Sequence, residues 1–289
     1  MSPVLLGIVA ALCWGLLDFA GRFASRGTSA TTTVLWLTVT GLAGLTALLA
    51  WNGIWPELQL PNLWLTAVMG IGLAFATLWL FEALARGPFA LVSPIAASYP
   101  VTALLFAIAM GTRPDAIQWL AMFAVIAGVI IVAVASSDSE SSEMTPDQFR
   151  TVLTHAGLSH VTFAIAITAG QAAAPIYGET EATWFARIFG LAAMLIIATT
   201  SRKGTKAGKL AIPIRWLPLI VVMGCLDVAG LTTLSAAGHL PGAEIATVIG
   251  SAFGVVTILL AWILLREKIK PAQWLGMAMV FGGIAVLAM

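Results

Sequence analysis

The chain has 289 residues, of which 60% are apolar and 9% are Asp, Glu, Lys or Arg; its formal net charge is +1 and its mean hydropathy is +0.99. A soluble domain is roughly 45–50% apolar and about 25% charged. Composition therefore excludes an ordinary soluble enzyme, a disordered regulator and a nucleic-acid binder, which needs a basic field, and leaves a polytopic membrane protein.

A spanning helix needs about 20 mostly apolar residues. In chain order such runs fall at 3–24, 31–51, 62–85, 89–110, 116–135, 149–173, 181–200, 214–236, 243–265 and 271–288. The first is not a signal peptide: it lacks a basic n-region, carries Trp14, Asp18 and Arg22, and meets no cleavage site before the next run. Turn chemistry separates the runs at Arg86-Gly87-Pro88, Gly111-Thr112-Arg113-Pro114 and His239-Leu240-Pro241-Gly242. The runs are continuous rather than alternating every second residue, which argues against a barrel. An acidic, serine-rich stretch, 136–143, follows the fifth run, and a basic one, 201–209, follows the seventh.

Loops after odd-numbered runs collect twelve Lys and Arg residues, from Arg22 to Lys270, against Arg113 alone on the other side. Lys and Arg in short loops mark the cytoplasm. With ten spans, this bias places the chain in the inner (plasma) membrane with both termini outside the cytoplasm.

The two halves echo each other. Gln118-Trp119-Leu120-Ala121-Met122 matches Gln273-Trp274-Leu275-Gly276-Met277, and Gly41-Leu42-Ala43 matches Gly190-Leu191-Ala192. Trp64-Leu65 matches Trp216-Leu217, while Gly72, Pro88, Arg113 and Gly128 match Gly224, Pro241, Arg266 and Gly283. The order is kept at an offset of 149 to 155 residues. This divides the chain into a first five-helix repeat at 1–136, an acidic Ser-rich linker at 137–148 and a second five-helix repeat at 149–289. Five is odd, so the second copy enters the membrane inverted. The expected fold is all-α, with ten transmembrane helices in two inverted repeats around a central cavity. Secondary transporters place their solute at such a repeat interface.

The stretch Pro94 through Val132 resembles the end of an EamA-type repeat of the drug/metabolite transporter superfamily. The resemblance rests on Tyr99-Pro100-Val101-Thr102-Ala103-Leu104-Leu105, Arg113, Gln118-Trp119 and Gly128-Val129. Arg266-Glu267 and Gln273-Trp274-Leu275-Gly276 repeat it, and Ala11-Leu12-Cys13-Trp14-Gly15 resembles the family's opening Trp-Gly. Thr112-Arg113-Pro114 departs from the Glu-Arg pair common at that point of the family. The resemblance implies ten helices around a cavity and export of metabolites such as amino acids without ATP, most like the aromatic amino-acid exporters.

Charges inside a membrane are costly and default to functional candidates. Asp18 and Arg22, like Glu82 and Arg86, are spaced i,i+4 and can be local pairs with a snorkelling arginine; Asp18 and Glu82 can equally face a substrate. Arg187 and Asp227 have no opposite charge three or four residues away in their own runs. The expectation is that Arg187 faces the bundle interior and is neutralised by Asp227, Asp18 or a substrate carboxylate. His160 is central in the sixth run, either as a hydrogen-bonded helix contact or as a substrate-binding or proton-coupling group. It stands five residues from His155, off the spacing of a helical metal pair. Pro94 and Pro100 interrupt the fourth run, with Tyr99 beside them, and are candidate hinges together with Gly250 and Gly254 of the ninth. Eight tryptophans near run ends fit an interfacial belt. Trp14 and Trp79 lie deeper, where packing or stacking on an aromatic substrate are the two readings. Cys13 and Cys225 read as small buried hydrophobes.

The sequence therefore points to a monomeric secondary transporter in a lipid bilayer. It would export amino acids with aromatic or bulky apolar side chains, and similar small metabolites, by alternating access, with proton coupling open. It needs no cofactor or metal and binds no nucleic acid. Lipophilic cations, or nucleotide-like and sugar-phosphate anions, are the other substrate classes. No GxxxxGK[ST], GxSxG or HExxH is present, which disfavours an ATP-driven pump and an intramembrane enzyme; a channel lacks its charge rings.

Overall fold

The structure, a computed structural model, describes residues 2–109, 111, 113–137, 144–200, 211–238, 249–250 and 252–287. These form helices α1 (Pro3–Gly27), α2 (Ala30–Trp51), α3 (Leu63–Arg86), α4 (Phe89–Ala97), α5 (Tyr99–Ala109), α6 (Ala116–Ser137), α7 (Pro146–Tyr177), α8 (Glu179–Thr200), α9 (Leu217–Gly238), α10 (Phe253–Leu264) and α11 (Pro271–Leu287). No strand occurs among the described residues. With α4 and α5 counted as one broken span, the helices follow the ten expected runs. Among the described residues, eight spans are long and apolar enough to cross a membrane; α10 and α11 are shorter apolar helices there. Part of the ninth run, 243–248, lies outside the described residues, as does 138–143 of the expected linker.

Local chemistry sets the helix starts. Ser2 and Ser29 cap α1 and α2 through their side chains. Thr145 and Gln148 form a reciprocal capping box at α7. The repeated glutamines act alike, since Gln118 Oε1 accepts from Asp115 N at 3.1 Å and Gln273 Oε1 from Lys270 N at 2.8 Å. The repeat is thus preserved where it satisfies an orphan backbone donor. Helix α7 differs from its expected 149–173. It starts at the capping box, runs through Pro175 and stops at Gly178, whose φ of +88° suits glycine.

The outer surface is apolar. On α6 alone Ile117, Leu120, Phe123 and Ile130 are exposed, an arrangement costly in water and natural in lipid. Cys225, expected inside, is exposed, whereas Cys13 is buried. An apolar run does not distinguish a core face from a lipid face, so sequence could not separate them.

Packing follows a pseudo-two-fold pattern. Helix α1 packs on α9 as α7 packs on α3; α2 meets α9 as α8 meets α3; α1 meets α10 as α7 meets α4 and α5. The pairs α2–α8, α4–α10 and α6–α11 map onto themselves. The heaviest contacts therefore cross between the two halves. Small residues permit the close crossings: a Cβ on Gly190 would lie 2.9 Å from the Gly70 carbonyl oxygen, and one on Gly276 2.7 Å from that of Gly128.

Candidate functional site

Arg187 of α8 and Asp227 of α9 form an ion pair with side chains 18% and 15% exposed. Each supplies the opposite charge that its own helix lacks three or four residues away. Helix α2 lies against the pair through Gly41: a Cβ there would stand 3.1 Å from Asp227 Oδ2 and 3.3 Å from Arg187 Nη1. The Arg187 Nε is buried without a partner.

Asp18 of α1 is buried at 9% exposure, close enough to Asp227 for the two carboxylates to interact electrostatically. Among the described residues it has no hydrogen-bond or ion-pair partner. Its oxygens are not among the fully enclosed orphan atoms. Trp14 sits one turn earlier on the same helix face. Its Nε1 faces Gly230, one turn beyond Asp227, where a Cβ would stand 2.8 Å away. The Trp14 ring also meets Phe253 edge-on, with centroids 6.3 Å apart. The fold thus gathers Trp14, Asp18, Arg187 and Asp227, from α1, α8 and α9.

The alternative pairing of Asp18 with Arg22 does not form. Arg22 Nη1 instead meets Glu267 Oε1 at 2.5 Å, and its guanidinium lies 4.7 Å over the Phe89 ring. Glu267 also accepts from the Phe89 backbone N–H at 3.1 Å, at the start of α4, where a carboxylate complements the helix dipole. One side chain therefore ties α1, α4 and the α10–α11 turn together. Its neighbour Arg266 has a φ of +54°. In the sequence the one signal for Glu267 is the Arg266-Glu267 motif. Glu82 does take the local option, pairing with Arg86 on the same helix.

A second group surrounds the break between α4 and α5. Pro94 is accommodated inside α4, and the helix breaks at Ser98, two residues before Pro100. His160 of α7 spans the break. Its Nδ1 is 3.2 Å from the Ile95 carbonyl and 2.9 Å from Ser98 Oγ, and its Nε2 is 2.6 Å from Thr102 Oγ1. A carbonyl only accepts, so Nδ1 carries a proton, and in the neutral imidazole Thr102 donates to Nε2. Tyr99 packs on Phe163 at 5.9 Å. Gly254 lies against Phe281, with a Cβ there 3.6 Å from Ala97 Cβ, so the start of α10 touches the end of α4 beside the break. Gly250 is buried. Trp79 packs on Phe75, centroids 5.3 Å apart, within α3. No cluster of three or more His, Cys, Asp or Glu suited to a metal occurs among the described residues.

An apolar shell, a doubled unit with crossed packing and charges sequestered inside define a polytopic helical membrane protein of the repeat-built kind. The chain belongs to the EamA-like transporter family, whose profile matches residues 1–134 and 153–289. It is accordingly a multi-pass membrane protein of a family of small-metabolite transporters, not enzymes. Among solved structures 23 chains match. One crystal structure shares 20% identity, with a TM-score of 0.63, over 98% of this chain and 95% of that one; it supports the fold. No curated protein matches.

Proposed function

We propose that the protein is a secondary transporter exporting amino acids with aromatic or bulky apolar side chains, and similar small metabolites, across the inner membrane by alternating access. The observation that carries this reading is the crossed packing of two equivalent halves around sequestered charges. The broken span α4–α5 touches α10 at Gly254, next to Phe253, whose ring meets Trp14. Two copies that can exchange conformations convert an opening on one side into an opening on the other. The Lys- and Arg-rich loops would face the cytoplasm. On that side Arg22 and Glu267 hold α1, α4 and the α10–α11 turn together.

The test is uptake into proteoliposomes of labelled phenylalanine, tryptophan, a lipophilic cation and a sugar phosphate, each at two pH values. The reading expects saturable movement of the aromatic amino acids above protein-free vesicles. The pair of pH values shows whether a proton accompanies the solute. Movement of the sugar phosphate alone, or of nothing, overturns the reading.

A further inference from the structure

We propose that Asp18 is the docking charge for a solute's ammonium group, with Trp14 and Phe253 beside it to receive an aromatic or bulky apolar body. This rests on the transporter reading and narrows its substrate class to amines.

Two carboxylates, Asp18 and Asp227, lie close together with one cation, Arg187, and that cation is taken by Asp227. Arg22, the cation nearest to Asp18 in sequence on its own helix, is held by Glu267 and the Phe89 ring. The group therefore holds one carboxylate more than it has cations among the described residues. Ionised in that state, a buried carboxylate is unfavourable; a proton or a bound cation relieves it. Such a site repels phosphates and other polyanions. Asp227 already engages Arg187, so the group left for Asp18 to select is the ammonium end of an amino acid. The indole of Trp14 stands one helical turn from Asp18 and contacts Phe253 at 6.3 Å. Aromatic faces beside a carboxylate favour an organic cation.

Three probes separate the groups of one molecule. Phenylalanine carries both charges, 2-phenylethylamine only the ammonium, and 3-phenylpropionate only the carboxylate. Binding of each labelled probe to the detergent-purified protein is expected to rank the first two at least tenfold above the third. Asp18→Asn is expected to weaken 2-phenylethylamine binding at least tenfold, and Asp18→Glu to retain it. Should Asp18→Asn fail to elute as a single folded species, the wild-type ranking and Asp18→Glu decide. Equal binding of amine and acid, no binding of the amine, unchanged binding in a folded Asp18→Asn, or complete loss in a folded Asp18→Glu overturns the proposal. Flux in proteoliposomes keeps the two readings apart. Asp18-dependent binding without flux retains the subsite and removes the transporter. Flux of 3-phenylpropionate that ignores Asp18→Asn removes the subsite and retains the transporter.

Discussion

Arg187 shows how an intramembrane charge is made tolerable. Its partner is forty residues along the chain, on the neighbouring helix, and glycine at position 41 lets α2 close over both. Breaking a buried pair leaves an uncompensated charge and costs about 3–5 kcal/mol, whereas replacing both partners with neutral groups is often tolerated. Arg187→Met should therefore lower the melting temperature in detergent sharply, and Arg187→Met with Asp227→Asn should recover most of the loss. A single variant as stable as the wild type would show that the pair contributes nothing. Glu82 is the contrasting case. Its pair with Arg86 is local and partly exposed, a setting in which such pairs are worth roughly 0.2–1 kcal/mol. Glu82→Gln should melt close to the wild type and keep solute uptake within about twofold; a large loss of uptake would place Glu82 in the solute path.

At the scale of elements, the interruption in the fourth span is stabilised from outside the helix. Pro100 cannot donate to the backbone, the helix breaks at Ser98, and His160 on α7 bonds to both sides of the break. In lipid no water replaces a missing partner. Removing one partner of a buried polar group costs about 1–3 kcal/mol. His160→Ala should speed hydrogen exchange at 95–102 while leaving exchange in α6 unchanged. Uniform behaviour across both segments would mean that His160 does not hold the break. Proline spacing announced an irregularity in this span; it did not say which proline is absorbed or which helix supplies the bracing side chain. The glutamines at 118 and 273 were readable as a repeat, and their capping contacts show why that residue type recurs at the same helical position.

At the scale of the molecule, each half packs chiefly on the other, so a change of state must move elements across that boundary. The Arg22–Glu267 contact crosses it, linking the first helix to the turn before the last. In a background carrying Cys13→Ser and Cys225→Ser, Arg22→Cys and Glu267→Cys joined by a reducible thiol cross-linker should arrest uptake, and reduction should restore it. Undiminished uptake by the cross-linked protein would mean that this junction stays shut throughout the cycle.

Hydropathy, turn residues and the recurring motifs determined the spans, their number and the doubled plan, because each is written in short windows of chain or in their repetition at a fixed offset. The same windows supplied Arg187 and Asp227 as charges with no local partner. Which acid each arginine meets was decided only in three dimensions. Arg22 passes over Asp18, four residues away, for Glu267, 245 residues away. Helical spacing makes a local pair available, but tertiary packing set Glu267 beside Arg22 together with the α4 backbone and the Phe89 ring. That choice leaves Asp18 buried without a paired cation among the described residues.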